Sequence, residues 1–320
     1  MKPMFLSLAA CLLLTGCTAS TPALAPLPPA PAPLQTGIAT ATTTTESQNA
    51  TFDFPGRAQT DVTLCAVLLD SSGVIRDCAI DAVSAAIPFD KTGALQLEEG
   101  TVFPSKNELG ENYGLHKASP QGREWNQQAA DYARWAVGKT PAELETADVV
   151  TSVTVATDSF ARAIRCAAAQ SAYLGAQEGD QLHLFSSARM VTSHSAGPDH
   201  PEGLARCRTS AAAMTTRGDV ITSCAFDGSE SAVPITHEGT IARQPLPRTS
   251  PWDACSLRRS PQGNAWCRQA AALAALATGK TPREACAQFP SPPAGADALP
   301  TMAVTVYDDF FPLFQKAAQG

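Results

Sequence analysis

The amino-acid sequence predicts an α+β protein in which one domain, of element order β-β-α-α-β-α, is used twice after a disordered stalk. The first observation is a repeated segment. "SPQGREWNQQAADYARWAVGKTP" from Ser119 and "SPQGNAWCRQAAALAALATGKTP" from Ser260 agree at 14 of 23 positions, 141 residues apart. The second is that further segments match in the same order. The third is a change in each copy from strand-like to helix-like spacing of apolar residues.

The matching segments extend over both copies. "GVIRDCAID" at 73–81 matches "DVITSCAFD" at 219–227, "IPFDKTG" at 87–93 matches "VPITHEG" at 233–239, and "VTVATDSF" at 153–160 matches "VTVYDDFF" at 304–311. Because the offset changes little, the insertions fall in loops. The sequence therefore predicts a tandem duplication of paired globular domains, with a first repeat at 58–175 and a second at 176–320.

Each copy begins with a predicted β-hairpin. The stretch "DVTLCAVLLDSSGVIRDCAID" at 61–81 holds two β-rich runs around a Ser-Ser-Gly turn, so we expect a two-residue loop at 71–72. Later in the copy, the β-branched segment "VVTSVTVA" at 149–156 predicts a third strand. Asp158 is expected to cap the last helix, and Asp309 is its counterpart in the second copy.

The repeated segment predicts a capped amphipathic helix. Ser119 suits the N-cap and Pro120 the first helical position. Apolar residues then recur at helical spacing, which predicts one buried face in each copy. These residues are Trp125, Ala129, Tyr132 and Ala136 in the first copy, and Trp266, Ala270, Leu273 and Ala277 in the second.

A helix stop and a second helix start follow. Gly138 and Gly279 suit the left-handed position that ends a helix. The segments "TPAE" from Thr140 and "TPRE" from Thr281 then supply a Thr cap, a Pro at the first helical position and a capping-box Glu. We interpret the repeated segment as a folding device that both copies need.

The N-terminus has the pattern of a bacterial export signal. Lys2 precedes an apolar run at 5–14 that is too short to span a bilayer as a helix. The run ends in "LTGC", which resembles the lipobox of bacterial lipoproteins. The resemblance implies removal of residues 1–16, acylation of Cys17 and anchoring to a lipid bilayer of the cell envelope. In a Gram-negative cell, Thr18 favours the outer membrane. An ordinary signal peptide with a chance cysteine is the alternative.

Residues 17–57 are predicted to form a disordered, lipid-anchored stalk. They are rich in Pro, Thr and Ala, carry no charge before Glu46 and show no hydrophobic periodicity. Such a segment cannot bury enough apolar surface to offset the entropy that ordering would cost.

The cysteines predict disulfides. Of ten Cys residues, two (Cys11 and Cys17) lie in the signal region, which leaves eight, and an even number in an exported protein favours disulfides. The predicted hairpins, with a second loop at 215–216, place two pairs in cross-strand positions. These pairs are Cys65 with Cys78 and Cys207 with Cys224. Pairs of buried thiols are the alternative. The pairing of four others stays open: Cys166, Cys255, Cys267 and Cys286.

Composition and motifs argue against several functions. The net charge is −7 and no basic cluster occurs, which argues against a nucleic-acid partner. No CxxC occurs, so no metal site is predicted. The scattered His residues are expected on the surface: His116, His183, His194, His200 and His237. None of G-x-S-x-G, Walker A, G-x-G-x-x-G or H-E-x-x-H occurs, and no catalytic residue is assigned.

The stretch "DVVTSVTV" at 148–155 resembles the attachment motif of the FMN-binding domains in the flavin-carrying subunits of Rnf-type and sodium-pumping quinone reductase complexes. That pattern is Asp, two variable residues, Ser or Thr, Gly, Ala and Thr, and Asp148, Thr151 and Thr154 match it. The resemblance implies FMN joined to Thr154 by a phosphoester bond that a flavin transferase installs. Ser119 and Gly122, at a predicted helix N-terminus, are candidates for a phosphate contact.

The chain departs from that motif at several positions. Ser152 and Val153 replace its Gly and Ala, and Leu299 stands in the second copy where Asp148 aligns, so only the first repeat is expected to hold a flavin. A half-buried β-strand is the other interpretation of the stretch. Two functions follow. One is a non-enzymatic envelope lipoprotein whose two repeats either bind an unknown envelope protein or small ligand or serve as a surface module. The other is an FMN-carrying electron-transfer protein of the envelope.

Overall fold

In both halves of the chain, most strands precede the helices. The computed structural model describes residues 30–145, 153–155, 157–242, 263–288 and 304–319. In these ranges the strands are β1 (Gln35–Thr43), β2 (Gly56–Leu69), β3 (Ile75–Phe89), β4 (Val102–Phe103), β5 (Gln181–Met190), β6 (Glu202–Arg217) and β7 (Val220–Thr236). The helices are α1 (Lys106–Leu109), α2 (Trp125–Ala136), α3 (Asp158–Ala169), α4 (Gly263–Ala277), α5 (Pro282–Ala287) and α6 (Val304–Gln319), with 3₁₀ turns at Gly110–Tyr113, Leu115–Lys117 and Glu143–Glu145. The predicted α+β class is confirmed.

The strands form two antiparallel sheets. The first has the order β1-β2-β3 and the second the order β4-β5-β6-β7. Each repeat supplies a three-stranded meander, in which sequential strands pair with each other. The short β4 comes from the first repeat but joins the edge of the second sheet, where Val102 pairs with Arg189.

Both sheets are covered on both faces. In β2, Cys65 and Val67 pack in the core under α2 and α3, whereas Leu64 and Ala66 pack in a core shared with β5 and β6. Helices α4 and α6 cover the outer face of the second sheet. Because successive residues of a strand point to opposite faces and both faces are buried, the end of β2 at 64–69 is a continuous apolar run. The result is four layers: helix, sheet, sheet, helix.

The two repeats share the core between the sheets. Apolar side chains from both repeats fill it, among them Ile38, Leu64, Val83, Ala188, Ala211 and Ala213. Hydroxyl pairs also cross it: Thr36 Oγ1 lies 2.7 Å from Ser223 Oγ, and Thr60 Oγ1 lies 2.6 Å from Ser231 Oγ. Residues 31–320 form one compact unit. The ranges expected to be paired domains are therefore halves of one body.

Residues 35–43 form a strand, although the sequence analysis placed them in the disordered stalk. β1 pairs with β2 over its whole length, from Gln35 opposite Leu69 to Thr43 opposite Asp61. Its sequence "QTGIATATT" contains one large apolar residue, Ile38, so its hydrophobic periodicity is weak. Its small side chains are nevertheless mostly buried, because one face of β1 lies between the two sheets and the other lies under α3. The prediction of disorder was wrong for this part of the chain.

The third strand of each meander comes before the hairpin, not after the helices. Of the strand predicted at 149–156, residues 153–155 are described, and they are not in a strand. The matching segment 304–311 begins α6. This helix buries apolar side chains at helical spacing against the second sheet, which explains why it is not a strand. They are Phe310, Leu313 and Phe314.

Neither acidic residue expected to cap the last helix is an N-cap. Thr157 precedes α3, and Asp158 is the first residue of that helix. Asp309 lies inside α6, where it is buried and faces Arg189 and Arg208 of the second sheet at 3.2 and 3.5 Å. Burial raises the pKa of Asp309, and the two guanidinium groups oppose that rise. Asp309 therefore joins α6 to the sheet.

The helix in the repeated segment starts later than predicted. Glu124, not Ser119, is the N-cap of α2, and it forms a capping box with Gln127. Ser119 begins a turn instead, in which Gly122 N donates to Ser119 O at 2.9 Å. The Trp266 side chain lies outside the described residues. The rest of the predicted buried face is confirmed: Trp125, Ala129, Tyr132 and Ala136 in α2, and Ala270, Leu273 and Ala277 in α4.

The glycine that ends each of these helices explains why the segment occurs twice. Gly138 has a φ of 85° and Gly279 a φ of 83°, in the left-handed region that Gly adopts without strain. Gly138 N donates to Ile75 O at 2.8 Å, and Ile75 N donates to Lys139 O at 2.9 Å. The second repeat makes the same two bonds, both at 2.8 Å, among Gly279, Lys280 and Ile221. Each helix end is thus joined to the start of the second strand of its hairpin.

The predicted cap and helix after the glycine are present in the second repeat, whereas the first repeat has only the Thr–Glu hydrogen bonds and then the 3₁₀ turn at Glu143–Glu145. Thr281 is the N-cap of α5 and forms a capping box with Glu284. In the first repeat, Thr140 N and Oγ1 donate to the carboxylate of Glu143 at 2.6 and 2.8 Å. Among the described residues, no helix is both long enough and apolar enough to cross a membrane.

Candidate functional site

Gln128 organises the polar groups at the N-terminal end of α2. Its side chain is fully buried. Its Oε1 accepts hydrogen bonds from Thr154 N at 2.7 Å and from Thr154 Oγ1 at 3.0 Å, and its Nε2 donates to Arg123 O at 3.2 Å. A buried amide requires such partners. Gln128 thereby fixes residues 153–155 against α2.

Two of the residues that the sequence analysis proposed for a flavin lie side by side. Thr154 is exposed, and its Oγ1 lies 3.5 Å from Ser119 Oγ. Thr154 is the proposed attachment residue, and Ser119 is a proposed phosphate contact. Asp148 and Thr151, which complete the motif, lie outside the described residues.

A carboxylate–imidazole pair that was not predicted from the sequence lies at the N-terminal end of α2. The Glu124 side chain is 3% exposed and pairs with His116 Nδ1. Its oxygens also accept from Leu115 N at 3.0 Å and from His116 N at 3.3 Å. Burial raises the pKa of Glu124, but these hydrogen bonds prevail and lower it. One signal was in the sequence: Leu257 and Ala265 stand at the matching positions of the second copy, so the repeated fold does not need the pair.

A cation lies on the aromatic surface near this pair. Lys106 Nζ lies 4.7 Å from the ring centroid of Tyr113 and 5.1 Å from that of Trp125, within the range of a cation–π contact. Trp125 in turn packs edge-on against Phe160, with ring centroids 5.5 Å apart. The N-terminal end of α2 therefore has three polar features: an ammonium group over aromatic rings, an imidazole paired with a carboxylate, and two neighbouring hydroxyls.

A second candidate site is the loop between β1 and β2, which exposes two aromatic side chains. Phe52 is 89% exposed and Phe54 is 72% exposed. Thr51 holds the loop in a turn, since its N donates to Phe54 O at 2.8 Å and its Oγ1 accepts from Phe54 N at 3.0 Å. Lys91 Nζ lies 5.3 Å from the Phe52 ring centroid. The sequence analysis included both residues in the stalk, although exposed aromatic residues are typical of binding surfaces.

Two buried carboxyl groups occupy matching positions in the two repeats. Asp227 Oδ2 accepts from Thr40 N at 2.6 Å, and burial raises the pKa of Asp227 well above its ordinary value. Asp81 Oδ1 accepts from Ala82 N at 2.7 Å and from Asn107 N at 3.1 Å. Burial raises the pKa of Asp81 to about 6. Asp227 joins β7 to β1, and Asp81 joins β3 to the start of α1. We therefore assign both groups a structural role.

The hairpin of the first repeat does not have the predicted register. Cys65 lies opposite Ile80, so Cys65 and Cys78 are diagonal neighbours and not directly opposed. Their sulfur atoms are unbonded and 3.9 Å apart. Burial, followed by the contact with Cys78, raises the pKa of Cys65. This pair has the arrangement of the alternative, two buried thiols side by side.

The predicted Cys207–Cys224 pair was wrong. The turn between β6 and β7 lies at 218–219, not at 215–216, so Cys207 is opposite Ser231 and Cys224 is opposite Met214. Cys207 faces the core between the sheets, whereas Cys224 faces α4 and α6. All cysteines whose side chains are described are free: Cys65, Cys78, Cys166, Cys207, Cys224 and Cys286. Cys255 and the side chain of Cys267 lie outside the described residues.

The predicted lipid-bearing residue is not part of the described structure. Residues 1–29, which include Cys17, lie outside the described residues. Within the described ranges, no group of three or more His, Cys, Asp and Glu side chains is placed to hold a metal ion. No family model, no curated protein and no solved structure matches the chain.

Proposed function

We propose that the chain is a lipid-anchored cell-envelope protein whose two repeats together form a non-enzymatic binding module. The N-terminal pattern that ends at Cys17 supports the anchor. The exposed aromatic pair of Phe52 and Phe54 carries the binding role. Its partner is an envelope protein or a small ligand.

The position of the aromatic pair supports this assignment. The chain enters the compact unit at residues 31–34, where Leu34 N donates to Ala176 O at 2.8 Å. β1 follows at once and has nine residues, so it spans about 27 Å before the loop of Phe52 and Phe54 begins. The aromatic pair therefore lies at the opposite end of β1 from the point where the chain enters the compact unit.

The buried polar side chains support a non-enzymatic role. Gln128 holds residues 153–155, Glu124 holds the turn at 115–116, and Asp227 holds β1. Each of these groups uses its hydrogen-bonding capacity to join segments of the chain. They act as parts of the scaffold.

Chemical cross-linking in intact envelopes tests the binding role. The chain, its Phe52→Ser/Phe54→Ser variant and a Val102→Ser control are compared, since Val102 is also exposed but lies in β4. We expect the first and third to cross-link to the same partner and the double variant to lose it. Thermal unfolding should be the same for all three, because each substituted side chain is exposed. Identical cross-linked products would contradict the proposal.

Electron transfer by FMN joined to Thr154 is a second candidate function. The exposed Thr154 Oγ1, 3.5 Å from Ser119 Oγ, favours it, because both hydroxyls fit a phosphate ester and its neighbour. Bound FMN would supply one- or two-electron chemistry. Gln128 would hold Thr154, the attachment residue, because its side-chain Oε1 accepts from the backbone N–H of Thr154.

Intact mass and visible absorption distinguish the two functions. If flavin is attached, the exported chain carries a flavin-sized adduct and absorbs visible light, and Thr154→Ala loses both properties. Ser210→Ala, at a buried position of β6, is a matched control that should keep the adduct. A colourless chain without an adduct favours the binding module.

A further inference from the structure

Exposed apolar side chains are concentrated at the end of the molecule where the chain enters. We call this the entry end and define it by the turns at 70–73 and 217–220, the segment 171–180 and the helix ends at 136–139 and 276–280. Eight large apolar side chains of the described residues are exposed, and five of them lie at the entry end. They are Val137, Tyr173, Leu174, Val220 and Leu276, with exposed fractions between 37% and 55%.

Hydrogen bonds join the entering chain to this end. Leu34 N donates to Ala176 O at 2.8 Å, so the chain runs beside the segment that contains Tyr173 and Leu174. Arg217 Nη1 donates to Gln177 Oε1 at 2.9 Å, which ties the same segment to the turn between β6 and β7.

Two further contacts bring the other apolar residues to this surface. A Cβ atom built on Gly175 would lie 2.3 Å from Thr222 O, so the segment touches β7 two residues from Val220. Gly279 N donates to Ile221 O at 2.8 Å, which places the end of α4, with Leu276, next to the start of β7. Leu174, Val220 and Leu276 therefore belong to one surface region.

We propose that the entry end contacts the lipid bilayer in which Cys17 is anchored, with Tyr173, Leu174, Val220 and Leu276 in the interfacial layer. The inference depends on the lipid anchor of the proposed function. Thirteen residues, 18–30, separate Cys17 from the compact unit, and at full extension they span about 45 Å. A tether of this length raises the effective concentration of the entry end at the bilayer surface.

The chemistry of the surface suits a bilayer interface. A tyrosine and several aliphatic side chains are the residues that lie at the boundary between headgroups and acyl chains. Arg217, in the turn at 217–220, is 46% exposed and forms an ion pair with Asp180 of the segment 171–180. The other charges of the entry end are Lys139 and Lys280 with Asp70, Glu178 and Asp219. Since the two signs nearly balance, the apolar side chains are the main attraction and the contact should change little with salt.

Hydrogen exchange on the mature lipidated chain tests the contact. The chain is reconstituted into vesicles of phosphatidylethanolamine and phosphatidylglycerol and compared with the same chain carrying Cys17→Ser in vesicle-free buffer. We expect slower exchange at 171–176 and 217–221 on vesicles and unchanged exchange at 51–55, the loop of Phe52 and Phe54. Protection confined to 51–55, or no protection at either region, would overturn the proposal. Protection of 171–176 in concentrated vesicle-free protein would assign the surface to a second copy and would also overturn it.

Vesicle co-sedimentation of unlipidated chains separates this inference from the lipid anchor. Leu174→Ser/Val220→Ser removes two partly exposed aliphatic side chains, whose combined exposed area is about that of one whole side chain. Vesicle binding of the Cys17→Ser chain should therefore fall about tenfold. Phe52→Ser/Phe54→Ser is the matched control and should bind as before. If intact mass shows no acyl group on Cys17, the proposed lipid anchor is wrong. The co-sedimentation comparison still tests whether the entry end binds a bilayer. Equal binding of both variants, or no binding by their parent, would overturn the inference.

Discussion

The carboxylate of Asp227 in β7 accepts the backbone amide of Thr40 in β1 at 2.6 Å. The two residues belong to different repeats and are both buried between the sheets. Separating them would leave a donor and an acceptor without partners in an apolar core. This bond and the hydroxyl pairs beside it explain why the duplicated chain forms one body.

Removal of the Asp227 side chain should destabilise the fold. We expect Asp227→Ala to lower the free energy of unfolding by about 1–3 kcal/mol, because the Thr40 amide loses its partner. Urea denaturation of the variant measures this change. Asp199→Ala, at an exposed loop position, is the control and should lie within about 0.5 kcal/mol of the parent chain. Equal effects of the two substitutions would contradict the role of Asp227.

Asp81 should make stability depend on pH. Burial raises its pKa from 3.8 to about 6, so the group stabilises the folded state most below the lower value and its contribution is lost as the pH rises through the higher one. Asp81→Asn keeps an Oδ1 acceptor for Ala82 N and Asn107 N but cannot ionise.

The Asn variant should therefore be more stable than the parent chain at neutral pH. We expect a gain of up to about 3 kcal/mol near pH 7 that falls below about 1 kcal/mol near pH 4. Denaturation of both proteins across this range measures the gain. Parallel stability profiles would show that Asp81 ionises as freely in the folded chain as in the unfolded one.

The two helix-ending glycines should be equally sensitive to substitution. No atom lies within 4 Å of a Cβ built on Gly138 or on Gly279, so the cost of alanine comes from the left-handed backbone alone. We expect Gly138→Ala and Gly279→Ala each to lower the free energy of unfolding by about 1 kcal/mol. Gly197 is also open on its Cβ side but has no positive φ, so Gly197→Ala should have no such cost. Unfolding measurements in which all three agree would refute this explanation.

Cys207 and Cys224 should remain unpaired with each other under oxidising conditions, because they lie on opposite faces of the second sheet. Peptide mapping after alkylation of the denatured, non-reduced chain tests this. We expect no peptide that links the two residues. A cross-linked Cys207–Cys224 peptide would show that the register of the hairpin differs from the one described.

Helix faces and helix ends were predictable because both depend on neighbours in sequence. The spacing of Trp125, Ala129 and Tyr132 predicts their burial, and Gly138 predicts the helix end that the structure contains. The start of α2 was not predictable in this way. Glu124 is the N-cap, with Gln127 as its capping-box partner, although the sequence pattern favoured Ser119 five residues earlier.

Strand register and the location of β1 depend on contacts that sequence spacing does not contain. The predicted two-residue loop at 71–72 failed because Asp70 Oδ1 accepts from both Ser72 N and Val74 N, which makes a longer turn. β1 was missed because its small Thr and Ala side chains are buried by distant parts of the chain, the second sheet on one face and α3 on the other.

The candidate sites were predictable only in part for the same reason. Thr154 and Ser119 were proposed from local motifs, and the structure places them together. The pairing of His116 with Glu124 depends on how the turns before α2 fold back onto it. The fixed turn that holds Phe52 and Phe54 depends on β1 and β2 on either side of it, so it could not be inferred while residues 17–57 were assigned to a disordered stalk.

The intact mass of the exported chain, extracted from its native envelope, tests the lipid-anchored binding module most directly. We predict the mass of residues 17–320 with acyl groups on Cys17 and no flavin. An unmodified Cys17 would contradict the anchor. A flavin-sized adduct that maps to Thr154 would contradict the non-enzymatic role and establish the electron-transfer alternative.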